Sequence, residues 1–324
     1  MKANTSALMR KGYTMGVFSG MTWGLDTVFI GVAMTMTPFV ENPILLVGGT
    51  FICSMLHDSF AALWMLVIMG YKGRLKELLS ALKSRDGLFC VLGALFGGPL
   101  AMTFYMLAIA EGGAALTATV TACYPLLGSA MAMVILKEKV RLRGWLGLLI
   151  CILGIIYIGY TPESENNLNV IGGIMLAAVA AIGWATEGVV CGYGMKAGKV
   201  NPQMALLIRE LTSGVVYIFI VAPVMIGGYK DMIAGTMAVF SNTICWLTLL
   251  FTALIGMVSF FCWYMAIDLI GAAKALCLNV TYSFWAVVFT FIFLGSVLSV
   301  NLVIGSTMVV AGVAVATLVS RKKN

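Results

Sequence analysis

Ten apolar stretches, each about as long as a membrane-spanning helix, dominate the chain. They lie at 13–37, 43–70, 87–110, 113–136, 142–160, 168–195, 203–228, 240–268, 272–295 and 299–320. Only helices and closed barrels satisfy their backbone in hydrocarbon, and these continuous runs lack the alternation of barrel strands. Because 61% of the residues are apolar and only 10% are charged, the sequence predicts an all-α membrane protein with ten transmembrane helices.

An internal repeat relates the two halves of the chain. Trp23-Gly-Leu-Asp26 returns 161 positions later as Trp184-Ala-Thr-Glu187. Further matches, at an offset of 158, are Gly98 with Gly256, Gly113 with Gly271, Tyr124 with Tyr282, Gly147 with Gly305, and Gly154 with Gly312. We therefore expect a first five-helix repeat at 1–160, a periplasmic or extracellular link at 161–167 and a second five-helix repeat at 168–324.

Five helices per repeat is an odd number, so the second repeat must enter the membrane from the opposite side. The sequence thus predicts two inverted repeats. Inverted repeats are the architecture of alternating-access carriers, which bind their substrate near the bilayer midplane where the repeats meet.

The positive charges predict the orientation of the chain. When successive loops are assigned to alternate sides, every Lys and Arg of the 20 except Arg209 and Lys230 falls on one side. The positive-inside rule makes that side cytoplasmic, with both termini inside and a bacterial inner membrane as the location. The net charge of +7 is then explained by topology and contact with anionic lipids, and a nucleic-acid partner is not predicted.

The motifs of other protein classes are missing from the sequence. It contains no channel-filter run of the TVGYG type and no phosphate-binding glycine loop. The eight cysteines fall within apolar stretches without a Cys-x-x-Cys pair, and His57 is the single histidine. We therefore predict no metal, no cofactor and no enzyme activity, and a carrier driven by ion or solute gradients.

Four acidic residues, Asp26, Asp58, Glu187 and Glu210, fall well inside predicted spans. A charged side chain is costly at this depth, so such residues face a cavity, pair with one another or carry protons. Arg209 is the one basic residue well inside a span, and it adjoins Glu210. Since consecutive helix positions do not face each other, we expect it to neutralise one acid at most. The other acids would then be protonated, or the positive charge would arrive with the substrate.

Aromatic residues favour a cationic substrate. Trp23 lies one helical turn before Asp26, and Trp184 one turn before Glu187, so each repeat presents a ring and an acid in the same direction. The predicted box consists of Trp23, Trp184, Tyr105, Trp263, Tyr264, Tyr124 and Tyr282. Ring faces bind cations that lack hydrogen-bond donors, such as choline, and a carboxylate adds long-range attraction.

Each of these features has a structural alternative. Trp and Tyr also gather at membrane interfaces or pack between helices. His57 with Asp58 could relay protons or form a satisfied helix–helix contact, and Glu210 could be tied locally to Arg209. We take His57, Asp58 and Glu210 as candidates for coupling or gating. Small residues such as Gly147 and Gly154 let helices approach and permit, without requiring, a homodimer.

The chain resembles the drug/metabolite transporter superfamily of the EamA type. The resemblance rests on Trp23-Gly24 early in the first span, on Tyr124-Pro125, and on Leu136-Lys137-Glu138-Lys139 at the end of the fourth. In the second repeat, Ser283 replaces the family-type proline and Leu294-Gly-Ser-Val replaces the acid-bearing loop. The resemblance implies a central cavity lined chiefly by spans one, three, four, six, eight and nine.

Within the superfamily, Trp23-Gly-Leu-Asp26 and the Gly-Trp-x-x-Glu element that ends at Glu187 are most similar to choline permeases that supply phosphocholine decoration of bacterial surfaces. This resemblance implies import of choline or a related quaternary ammonium by alternating access. The alternatives are a proton-coupled exporter of amino acids or of amphipathic metabolites or drugs, a channel, and a membrane enzyme or scaffold.

Overall fold

A computed structural model describes residues 2–159, 169–196, 198, 200–295 and 300–317, and all regular structure in these ranges is helical. The helices are Lys2–Met34, Thr37–Glu41, Pro43–Tyr71, Lys76–Lys83, Arg85–Leu95, Ala101–Gly112, Ala114–Thr121, Tyr124–Ile135, Leu142–Gly159, Val170–Lys196, Pro202–Val216, Ala222–Ile226, Tyr229–Ser241, Thr243–Ile270, Ala272–Asn279, Tyr282–Leu294 and Val300–Thr317. Two π-helical turns, Phe96–Leu100 and Tyr217–Val221, join adjacent helices. The predicted link at 161–167 lies outside the described residues.

Ten membrane spans follow from these helices, as predicted. By length and composition, nine candidate spans occur in the described residues, and the shorter apolar helix Leu142–Tyr157 supplies the remaining one. In chain order, spans 1 to 10 are Ser6–Met34, Pro43–Tyr71, Arg85–Gly112, Leu116–Ile135, Leu142–Tyr157, Val170–Lys196, Pro202–Ile226, Thr243–Ile270, Ala272–Leu294 and Val300–Thr317. We call the face at which span 1 begins the N-face and the opposite one the far face.

Spans 5 and 10 show directly that the repeats are inverted. A Cβ on Gly154 would lie 2.6 Å from the carbonyl oxygen of Gly305, and one on Gly312 would lie 2.6 Å from that of Gly147. Residue 147 therefore lies beside 312 and residue 154 beside 305, so the two helices run antiparallel. Equivalent helices that run antiparallel require inverted repeats, and the predicted role of these glycines in close helix contact is confirmed.

The first helix of each repeat packs into the other repeat. Span 1 lies along span 8 and against span 9, and span 6 lies along span 3 and against span 4. Glycines at every fourth position of span 1, from Gly12 to Gly24, form the contact face. A Cβ on Gly24 would lie 2.7 Å from the backbone nitrogen of Ala286, so glycine is needed for this approach. The cavity described below lies where these interlocked helices meet.

Spans 4 and 9 are interrupted at equivalent positions. Each begins after a glycine with positive φ, Gly113 at 78° and Gly271 at 88°, a conformation that side chains rarely adopt. Each helix then breaks and resumes, at Tyr124 in span 4 and at Tyr282 in span 9. Breaks at membrane depth occur where the backbone lines a cavity or is buried in protein.

The loops contain helices that the sequence reading missed. Lys76–Lys83 lies in the basic stretch predicted as a loop, and Tyr229–Ser241 precedes span 8. Both helices are too short to cross a bilayer. In Lys76–Lys83, leucines recur at helical spacing between charged residues, a pattern typical of a helix that lies at a membrane surface. On the N-face, Arg74 donates to Glu77 at 2.6 and 2.8 Å, and this bonding lowers the pKa of the Glu77 carboxyl.

Candidate substrate-binding site

A cavity of about 230 Å³ lies between the two repeats near the middle of the spans. In span 1 its lining runs from Trp23 to Met34, and in span 2 from Thr50 to Asp58. Span 1 travels toward the far face and span 2 starts there, so the cavity extends from mid-membrane toward the far face. The other side chains that line it include Met102, Tyr105, Met106, Tyr124, Trp184, Glu187, Arg209, Ser259, Phe260, Trp263, Asn279 and Tyr282.

Most of the predicted site residues meet in this cavity. Those that line it are Trp23, Asp26, His57, Asp58, Tyr105, Tyr124, Trp184, Glu187, Trp263 and Tyr282. Tyr264 and Glu210 do not line it. Tyr264 is fully buried behind the wall and donates its hydroxyl to Glu187 at 3.0 Å. Glu210 is likewise fully buried. These two residues can act on a substrate only through their neighbours.

The aromatic residues form two clusters that follow the repeat symmetry. Trp184 lies 5.2 Å from Tyr105 and 6.0 Å from Tyr124, measured between ring centroids. Its counterpart Trp23 lies 5.8 Å from Tyr282, the equivalent of Tyr124. Each cluster therefore pairs the tryptophan of one repeat's first helix with a tyrosine at a helix break. In both clusters the partner tyrosine comes from the opposite repeat.

Phe260 belongs to the site although sequence reasoning did not select it. Its ring lies 5.2 Å from that of Trp23 and 5.9 Å from that of Trp263. The guanidinium of Arg209 lies over this ring, with the guanidinium carbon Cζ 3.9 Å from the centroid of the Phe260 ring. The available signal was its spacing, since Phe260 precedes Trp263 by three residues and so shares its helix face.

The prediction that Arg209 neutralises one acid at most is wrong. Its Nη1 lies 2.7 Å from Glu210 and 3.4 Å from Asp58, and its Nε lies 3.3 Å from Glu187. Arg209 therefore contacts an acid from each of three spans, and the predicted surplus of acids without a cationic partner is smaller. The rule for consecutive helix positions fails here because a long arginine side chain carries its five donors well beyond its own helix face.

His57 connects two further acids. Its Nε2 lies 3.1 Å from Asp26 and its Nδ1 lies 3.1 Å from Asp58. Asp58 also accepts a hydrogen bond from Ser213 at 2.5 Å. A neutral imidazole has one N–H donor, so both contacts can be hydrogen bonds only if the ring is protonated or a carboxyl carries the proton. His57 therefore links carboxyl groups on spans 1 and 2.

The site retains an excess of acidic groups. Its four carboxyls are those of Asp26, Asp58, Glu187 and Glu210, and Arg209 and His57 are the basic groups that contact them. With every group ionised, four negative and two positive charges leave a balance of minus two. Because uncompensated charge is costly at this depth, the site favours bound protons or a cationic ligand.

A ten-helix membrane protein with inverted repeats and a cavity at their interface has the architecture of a carrier. The sequence profile of the EamA-like transporter family matches residues 10–160 and again residues 171–318. The chain belongs to this family of transporters, within the drug/metabolite transporter superfamily, and the predicted resemblance is confirmed.

Two individual proteins extend this comparison. The chain is 25% identical over 280 residues to Protein LicB of Haemophilus influenzae, a match that covers 86% of this chain and 87% of LicB. A solved crystal structure matches with a TM-score of 0.72 at 16% identity, covering 94% of this chain and 96% of that one. At this identity the structural match supports the fold alone.

Proposed function

We propose that this carrier binds a small organic cation, choline or a related quaternary ammonium, in the central cavity and imports it by alternating access. The observation that carries the proposal is the meeting of Asp26 and Glu187 with tryptophan–tyrosine clusters from both repeats in one cavity at mid-membrane. The proposed location is a bacterial inner membrane, with both termini in the cytoplasm.

The chemistry of the cavity suits a quaternary ammonium. Such a cation has no N–H to donate, so it is recognised by ring faces at about 0.5–2 kcal/mol per contact. Trp263 also lines the cavity and adds a further ring to its wall.

The surrounding network supports a role in coupling. His57 bridges Asp26, which lines the cavity, to Asp58, and Asp58 in turn contacts Arg209. A cation that approaches Asp26 or Glu187 competes with these partners. Release or uptake of the proton held by the histidine would therefore accompany binding of the cation. In this proposal Glu210 acts indirectly, by anchoring Arg209.

The direction of transport is proposed from the shape of the cavity. The lining extends toward the far face, which is opposite the face that carries the Lys- and Arg-rich loops. The positive-inside rule places the far face outside the cell. A cavity that extends toward that side is placed to receive an external substrate.

Uptake of tritiated choline into proteoliposomes tests the proposal. We expect saturable uptake that falls strongly in Glu187→Gln and in Trp184→Ala, with Trp246→Ala as a control because Trp246 packs against Phe240 away from the cavity. Uptake that is unaffected by both site substitutions would remove this site assignment.

The exporter alternative draws support from the apolar part of the cavity. Met34, Met102 and Met106 line it on the far-face side, and flexible methionines suit amphipathic ligands. A melting screen separates the two functions, because a ligand that binds the native state raises its melting temperature. Stabilisation by amphipathic amines, without any by choline, would favour export.

A further inference from the structure

The floor of the cavity is a buried layer of hydrogen bonds on its N-face side. The hydroxyl of Ser259 donates to the backbone oxygen of Ser19 at 2.9 Å, and the Asn279 amide donates to the Ser19 hydroxyl at 2.8 Å. Tyr124 completes the layer by donating to the Asn279 side-chain oxygen at 2.8 Å. These residues come from spans 1, 4, 8 and 9, so the layer joins both repeats directly beneath the aromatic box.

A second layer closes the N-face itself. Both carboxylate oxygens of Glu138, in the turn after span 4, accept backbone N–H groups at the start of span 9, from Ala272 at 2.7 Å and from Ala273 at 3.1 Å. Lys196, at the end of span 6, donates to the backbone oxygen of Leu136 at 3.2 Å. A Cβ on Gly271 would lie 2.8 Å from the Glu138 carboxyl. The contact therefore needs both the acid and the glycine.

Among the described residues, the inner layer has no counterpart at the symmetry-related positions. The equivalents of Ser19 and Ser259 are Ala180 and Ala101, which have no polar side-chain atom. The equivalent of Asn279 is Thr121, whose hydroxyl bonds to Thr117 in its own helix at 2.8 Å. In sequence, position 296 is the equivalent of Glu138 and is a serine. The repeats are alike in fold, but they differ in sequence at the residues that form the two layers.

We propose that the two layers form an N-face gate, with Glu138 and Asn279 as its main residues. Opening the cavity toward the N-face would require both residues to release their partners in the other repeat. Contacts that form in only one of two conformations stabilise that conformation and shift the equilibrium toward it. The contacts of Glu138 and Asn279 form with the N-face closed, so the gate biases the substrate-free carrier toward that state, in which the cavity faces the far side. This inference rests on the alternating-access part of the proposed function and is independent of the substrate's identity.

Thiol labelling in the absence of substrate tests the gate. Thr50 lines the cavity about two helical turns from His57 toward the far face, so Thr50→Cys reports opening on that side. Labelling by a charged methanethiosulfonate is followed by peptide mass spectrometry, which separates this site from the native cysteines. The reporter is combined with Glu138→Gln, with Glu138→Gln plus Asn279→Val, and with Glu77→Gln, an exposed acid on the same face, as the control.

We expect labelling to slow by at least about threefold in the double variant, because loss of both layers shifts the carrier to a state that closes around Thr50. The control should match the parent. Hydrogen exchange of the Ala272 and Ala273 amides should accelerate in Glu138→Gln. Faster exchange confined to these amides would show that the Glu138 hydrogen bonds are lost in a protein that still folds. Faster exchange with an unchanged labelling rate in both gate variants would overturn the proposal, as would unchanged exchange.

The outcome is separable from failure of the proposed substrate. If choline neither binds nor is transported, the labelling and exchange measurements still report the gate, since neither contains a ligand. A slower labelling rate in the variants with no choline binding would keep the gate and reject the cation.

Discussion

Replacing Glu187 with glutamine tests how much the site depends on charge. The carboxyl lines the cavity, is 1% exposed, and contacts Arg209 and Tyr264. Two unit charges about 5 Å apart attract each other by about 3 kcal/mol at an effective dielectric constant of about 20. Arg209 already shares this carboxylate, so we discount the attraction by roughly half. The remaining 1.5 kcal/mol corresponds to roughly a tenfold increase in Kd for choline.

Calorimetric titration of choline into purified Glu187→Gln and parent protein measures this change. Glutamine keeps the size of the side chain and an oxygen that accepts from Tyr264, so the melting temperature serves as the check on folding. Glu77→Gln, an exposed acid paired with Arg74, is the matched control and should bind like the parent. An unchanged Kd in Glu187→Gln would refute the argument that this carboxylate attracts the substrate.

Three further predictions concern coupling, recognition and packing. His57→Asn should abolish choline accumulation driven by a proton gradient while choline counterflow persists, because the asparagine removes the group that holds the proton between two carboxyls; loss of both or of neither would contradict this. Trp184→Leu should weaken choline binding several-fold in titrations, with Trp246→Leu unchanged, since only the first ring lines the cavity. Gly154→Ala should destabilise the protein by about 1–3 kcal/mol through the clash with span 10, seen as a lower melting temperature, whereas Gly31→Ala, which meets open space, should leave it unchanged or raised.

The fold was largely predictable because hydrocarbon leaves the backbone few choices. Apolar length alone located the ten spans, and the odd number of helices per repeat required the inversion that Gly147 and Gly154 display against span 10. The short helices Lys76–Lys83 and Tyr229–Ser241 were missed. A search for apolar length does not detect amphipathic helices outside the spans, since their apolar faces cover only part of each turn.

The site was predictable where the repeat duplicates it and not where it departs from the repeat. Symmetry brought Trp23 and Trp184 to equivalent places with their tyrosine partners. The repeat does not predict the contacts of Arg209 with three acids, because they depend on how a long side chain extends from its own helix to neighbouring ones. The same holds for Glu138, whose partners are backbone N–H groups in the other repeat. Sequence spacing carries no information on contacts of this kind.

The central claim is that the cavity recognises a positive charge, and a matched pair of ligands tests it most directly. The uncharged isostere of choline, in which a quaternary carbon replaces the nitrogen, has the same shape and hydroxyl. In parallel titrations of the parent protein we predict that choline binds at least about tenfold more tightly, from ring and carboxylate attraction together. Equal affinity for the two ligands would contradict the account.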